Sequence, residues 1–156
     1  FIFKEKPRQR KIIMEQIEIH KIPSAYIPLL KLGNDYEDVV NSVRIPNSTL
    51  TTTPVAARSF AYCSDTIYTE HFLSQIQGVD ILYHEATFLH DMLARAEETF
   101  HTTCLQAGQL AKKAGVGKLI IGHFSARYKE LEPLLEETKT VFENSHLAIE
   151  GVKFTI

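Results

Sequence analysis

The order of apolar and polar positions divides the chain near residue 58. Beyond it, short apolar runs of strand length occur at Ser59–Cys63 (SFAYC), 79–84 (VDILYH) and 118–121 (KLII). Between them, 69–77, 88–98 and 103–114 are patterned as helices, the last stopped by Gly115. A further helix is predicted over 129–142, where Leu131, Leu134, Leu135 and Val141 recur at roughly helical spacing. Residues 148–149 and 152–156 close the chain around a turn signal at Gly151. Strands alternating with helices predict an α/β domain with a layered sheet. Before residue 58 the pattern is irregular. Residues 1–3 read as a strand end and 12–18 as a short helix. Pro23, Pro28, Gly33, Pro46, Pro54 and the Ser/Thr run at 48–53 then predict loops, in the manner of a projecting arm. The expected organisation is an arm-like region over 1–57 and an α/β region over 58–156.

Composition changes this picture little. At 156 residues, 44% hydrophobic and 23% charged, the chain is an ordinary globular sequence with enough length for a core. No apolar run approaches the roughly 20 residues of a membrane helix, and no secretory signal opens the chain, so a cytoplasmic protein is expected. The first residue, Phe1, is not Met, which suggests a fragment. The two cysteines, Cys63 and Cys104, form no CxxC pair and fit free thiols in a reducing compartment. The net charge of −2 argues against a whole surface built for nucleic acid. A local basic stretch does exist: five of the eight positions from 4 to 11 are Lys4, Lys6, Arg8, Arg10 and Lys11.

The candidate chemistry lies where strands end. The first strand runs into Ser64-Asp65-Thr66, the second into His84-Glu85-Ala86-Thr87, and the third into Gly122-His123-Phe124-Ser125. His101-Thr102-Thr103 opens a helix. Ligands of α/β sheets bind beyond the carboxyl ends of strands, so these residues can converge on one edge. Each has a plain alternative. Asp65 and Thr66 fit a helix cap, His101 a surface residue, and His84 a core histidine bonded to Glu85 or to a carbonyl. His123 is harder to explain this way, because a buried strand rarely ends in His without a polar partner. Taken together, the histidines and carboxylates fit either metal or acid–base work, or no catalytic role at all.

The motifs and their order resemble the metallo-β-lactamase superfamily, and within it the ribonuclease Z family. Tyr62-Cys63-Ser64-Asp65-Thr66 resembles the aspartate motif and His123-Phe124-Ser125-Ala126-Arg127-Tyr128 the final histidine motif. His84-Glu85-Ala86-Thr87 and His101-Thr102-Thr103 match two motifs of ribonuclease Z. The resemblance is specific from Arg58 to the C-terminus and looser before it. It implies the C-terminal half of an αββα sandwich, a mixed sheet with flanking helices. It implies two zinc ions, with Asp65 bridging them and His123 a terminal ligand. Zinc lowers the pKa of bound water, which attacks a phosphodiester. His101, oriented by Glu85, is then the general acid towards the departing 3′ oxygen. Ser125 and Arg127 contact phosphate, or Arg127 braces the site from behind; His84 is structural.

The HxHxDH motif that holds most of the superfamily's zinc ligands is absent, since the sequence contains no HxH. With Asp65 and His123 alone as ligands, this chain is expected to bind zinc weakly and not to cut RNA. The resemblance implies a full-length parent that removes 3′ trailers from precursor tRNA as a homodimer, with no DNA and no membrane as partner. The basic stretch lies at the base of an arm that grips tRNA, although Ile22 to Pro28 lacks the glycine of the family's arm loop. Two other readings stay open: a zinc phosphodiesterase of the same fold acting on a small molecule, and a degenerate, non-catalytic half-domain that binds RNA. The sheet face meant for the absent half is expected to be exposed apolar surface.

Overall fold

The computed structural model describes residues 1–156, which form two compact units, 6–57 and a larger one of 1–5 with 58–156. Strand β1 (Ile2–Lys4) opens the larger unit. The smaller unit follows with β2 (Lys11–Ile12), α1 (Met14–Ile19), α2 (Ile27–Lys31), β3 (Tyr36–Asp38), β4 (Val43–Ile45), α3 (Asn47–Leu50) and β5 (Thr51–Thr52). Its apolar centre is Ile17, Ile22, Leu30, Tyr36, Ile45 and Leu50. Antiparallel pairs β2–β5 and β3–β4 frame it. Asn47 ties its loops together: the buried amide donates to the carbonyls of Leu30 and Asn34 and accepts from the Thr51 hydroxyl.

The larger unit continues with β6 (Ser59–Cys63), α4 (Leu73–Ile76), β7 (Ile81–Glu85), α5 (Leu93–Glu98), α6 (Cys104–Ala114), β8 (Lys118–Gly122), α7 (Glu132–Lys139) and β9 (Ser145–Leu147). Its sheet has the order β1-β6-β7-β8-β9. Strand β1 runs antiparallel to β6 and the other pairs are parallel, so the sheet is mixed. The register Ala61↔Leu82↔Leu119 puts three small or branched side chains in one row on one face. That face is covered by α6, whose Cys104, Ala107, Leu110, Ala111 and Ala114 are buried. Helix α6 starts at a capping box between Thr103 and Gln106 and stops at Gly115, which is left-handed at φ +61°. The box satisfies two N–H groups that the first turn leaves open, worth about 1 kcal/mol. Gly108 lets α7 approach: a β-carbon there would lie 3.0 Å from the Thr138 carbonyl oxygen.

The opposite face is apolar, as expected, but only part of it is exposed: Tyr62 is 39% exposed. Ile81 and Ile120 are only 3% and 5% exposed. Val152, Phe154 and Ile156 of the C-terminal segment line a cavity of about 530 Å³ together with Phe60, Ile81, Tyr83 and Ile120. The tail's own apolar residues thus supply cover, and they do so without forming a strand. The helix predicted over 69–77 shrinks to Leu73–Ile76, and the one over 129–142 to Glu132–Lys139. Pro133 sits in the first turn of α7, where a missing N–H does no harm, and so fixes where the helix starts. The segment 88–98 divides into a 3-10 turn at His90–Met92 and α5. No helix is long and apolar enough to cross a membrane.

Candidate metal centre

Parallel strands β6, β7 and β8 end side by side, and the loops after them meet. Asp65 follows β6 and His123 follows β8. Glu85 is the last residue of β7, and His101 stands before α6. Asp65 Oδ1 lies 3.1 Å from His123 Nε2. The His101 and His123 rings are 5.2 Å apart, centre to centre. One ligand atom each from Asp65, His101 and His123 lies within 4.8 Å of the other two. Three backbone positions at this edge are left-handed without being glycine: Asp65 at φ +50°, Phe100 at +59° and His123 at +58°. Asp and His tolerate this conformation better than most residues, yet it still costs free energy that the surrounding contacts must offset.

Beneath the cluster lies Glu85, fully buried. Every neighbour of its carboxyl group is a donor. The Thr66 N–H donates to Oε1 at 2.5 Å. The Thr102 N–H and the Thr87 hydroxyl donate to Oε2 at 3.0 and 2.7 Å, and His101 Nδ1 stands 3.0 Å from the same oxygen. Such a shell accommodates a buried carboxylate, because charge-assisted hydrogen bonds replace its hydration. Thr102 also donates its hydroxyl to the Thr66 carbonyl at 2.7 Å, closing the loop that carries Asp65. The Thr87 hydroxyl is 3.1 Å from His123 Nδ1.

His84 is 1% exposed and stands beside Cys63 and Ile121 in register, away from the cluster. Its Nδ1 lies 2.7 Å from the Glu85 carbonyl oxygen, and burial pushes its pKa down. Arg127 is exposed, with its guanidinium 5.0 Å above the Phe88 ring and its Nε donating to Ser125 Oγ at 3.3 Å. Phe88 in turn meets His101 edge-on at 6.2 Å. The basic stretch does not act as one group. Lys4, Lys6, Arg8 and Lys11 are exposed, whereas Arg10 is half-buried and donates to Thr51 Oγ1 at 2.7 Å. Lys4 belongs to the larger unit and the other four to the smaller.

Reading the sequence alone assigned two ligands to this chain; the geometry brings a third donor, His101, to the same place. One carboxylate and two imidazoles suit a divalent ion of zinc's type. Three donors are enough for one ion and too few for two. The sequence offers Thr66 only as a helix cap, whereas its N–H donates to Glu85 and the next helix starts at Leu73; Thr87 and Thr102 appear there only as motif members. Thr87 was within reach, standing two residues beyond Glu85 in an already noted motif; the backbone N–H groups of Thr66 and Thr102 carry no sequence signal.

A mixed sheet with helices on one face, and polar loops converging at its carboxyl edge, is an architecture shared with solved proteins. The metallo-β-lactamase fold protein YhfI from Bacillus subtilis aligns over 61% of this chain and 39% of its own, at 29% identity and a TM-score of 0.56. A long form RNase Z from yeast aligns over 60% of this chain and 13% of its own, at 29% identity and a TM-score of 0.53. The larger unit is therefore of the metallo-β-lactamase fold class. Sequence narrows this further: over 156 residues the chain is 46% identical to the ribonuclease Z of Phocaeicola vulgatus (strain ATCC 8482). The chain is a homologue of ribonuclease Z. It spans about half the length of the relatives it matches, 50% in that case. No protein-family model matches it.

Proposed function

We propose that this chain is the C-terminal half of a zinc-dependent endoribonuclease that removes 3′ trailers from precursor tRNA. The observation that carries the reading is the pairing of His101 with buried Glu85 directly beside the Asp65–His123 pair. A proton donor and metal ligands in one cluster suit phosphodiester hydrolysis, and the chain is 46% identical over its 156 residues to the ribonuclease Z of Phocaeicola vulgatus, of which it spans 50%. Asp65 and His123 hold zinc in this reading, with further ligands, including an HxHxDH motif, supplied by the rest of a longer parent. Zinc, when bound, supplies Lewis acidity. His101, steadied by Glu85, delivers a proton to the departing 3′ oxygen. Arg127 and Ser125 face the phosphate, the guanidinium offering paired donors that match its oxygens. Lys4, Lys6, Arg8 and Lys11 supply salt-dependent contact to RNA, while Arg10 holds its own loop. A cytoplasmic homodimer belongs to the same reading.

The test is cleavage of a 3′-extended precursor tRNA by the full-length parent, with and without Asp65→Ala. Cutting after the acceptor stem, abolished by the substitution, is expected. A folded, zinc-loaded parent that leaves the precursor intact refutes the reading and points to hydrolysis of a small phosphodiester. Without bound zinc, the same result points to a binding domain.

A further inference from the structure

A histidine that delivers a proton must aim one ring nitrogen, and a single hydrogen bond does not fix a ring. His101 Nδ1 stands 3.0 Å from Glu85 Oε2 and 3.3 Å from Oε1, so the carboxylate holds that atom while the imidazole stays free to tilt between two acceptors. The plane of the ring is set by what flanks it. His123 lies 5.2 Å away, but it is exposed and stands on a left-handed loop. Phe88 lies 6.2 Å away at 65° and is only 5% exposed. That contact falls within the roughly 4.5–7 Å over which aromatic rings attract edge to face. The backbone ties Phe88 to the segment that follows His101. The Thr87 N–H donates to the Thr102 carbonyl at 3.0 Å, and the Cys104 N–H donates to the Phe88 carbonyl at 2.8 Å. On the other side, the Leu89 N–H donates to the Tyr128 hydroxyl at 3.0 Å. The Arg127 guanidinium, 5.0 Å over the ring, adds a cation–π contact. Phe88 is thus a wall with little freedom to retreat, and His101 rests against it.

We propose that Phe88 is a positioning residue for the proton transfer: its ring fixes the plane of the His101 imidazole. Nδ1 faces Glu85, so the proton leaves from Nε2 and passes to the 3′ oxygen as the bond from that oxygen to phosphorus breaks. Phe88 acts only through His101. Losing its ring therefore slows turnover and leaves substrate binding as it was. A misplacement of about 1 Å in a reacting group costs up to about 100-fold in rate. Leu at this position keeps the apolar bulk and gives up the flat edge, whereas Tyr keeps the ring. The inference rests on the reading of His101 as the acid towards the departing 3′ oxygen.

The experiment compares two 3′-extended precursor tRNAs in the full-length parent, one natural and one with sulfur in place of the departing 3′ oxygen. A thiolate leaves without a proton, because a thiol is a far stronger acid than an alcohol. Phe88→Leu is expected to lower kcat on the natural precursor about 10–100-fold at unchanged KM, and to leave cleavage of the sulfur precursor nearly unchanged. Phe88→Tyr should restore the natural rate. In the 156-residue chain, ¹³C relaxation should show the His101 ring as ordered as the backbone, loosened by Phe88→Leu and fixed again by Phe88→Tyr. Equal losses on both precursors, a loss confined to KM, or no loss at all overturns the proposal. So does a mobile His101 ring in the unsubstituted chain, which needs no variant to fold. A folded, zinc-loaded parent that cuts neither precursor overturns the nuclease reading and this inference with it. Any of the other failures, with the unsubstituted parent still cutting, overturns the inference alone.

Discussion

Replacing Glu85 with Gln keeps the shape of the side chain and takes away one acceptor. The less costly placement puts the new amide nitrogen where Oε1 stood. The Thr66 N–H, 2.5 Å away, then faces another donor. A buried N–H left without a partner costs about 1–3 kcal/mol. The three donors at the other oxygen, Thr102 N, Thr87 Oγ1 and His101 Nδ1, keep an acceptor but lose its charge. Each of those bonds weakens by roughly 0.5–1 kcal/mol. Removing a buried charge offsets part of the loss. The expected net destabilisation is about 3 kcal/mol. With a urea slope of about 2 kcal/mol/M, the unfolding midpoint falls by roughly 1.5 M at unchanged slope. Circular dichroism during a urea titration measures this. A midpoint within about 0.3 M of the unsubstituted chain would mean that the donor shell does not stabilise the fold, and the reasoning behind both proposals would lose its base.

Two further outcomes follow from the same sheet. His84 is buried and its pKa is lowered by burial, against a smaller opposing effect of its bond to the Glu85 carbonyl. The unfolded chain therefore takes up the proton first. Stability is complete above the ordinary histidine range near 6.5 and is lost as pH falls from there; His84→Leu should flatten the difference between urea midpoints at pH 7.5 and pH 5. Gly117→Ala places a β-carbon 2.7 Å from the Asp80 carbonyl oxygen, a backbone atom that cannot swing away. A loss of about 1–3 kcal/mol is expected, read from the same titration. A neutral result there would show that the turn before β8 yields easily.

The strand over 59–63 appears where its apolar run predicted it. Helix α6 begins one residue inside its predicted start and stops at Gly115. These succeed because a capping box, a stop residue and a buried stripe are local signals. Helix α4 fails for the converse reason. Its pattern over nine residues is weak, and the chain is committed elsewhere from both sides: by Thr66, held to Glu85, and by the left-handed Gly78. The pairing of β1 with β6 joins residues nearly sixty positions apart and could not be read from periodicity. The candidate site was legible as a set of residues at strand ends. Its wiring was not: one hydroxyl at Thr87 and two backbone N–H groups do the positioning, and only the folded arrangement reveals which acceptor they reach.

The left-handed residues at 65, 100 and 123 also bear on how the sequence would drift under selection. Glycine relieves the strain at all three, so a library sorted only for resistance to heat or protease should accumulate glycine at each. Phe100, 70% exposed and without a donor atom, gives up nothing that a metal or a proton needs. A second round sorted for metal retention should therefore restore Asp65 and His123 and leave glycine at 100, separating the conformational demand of these loops from their chemical one.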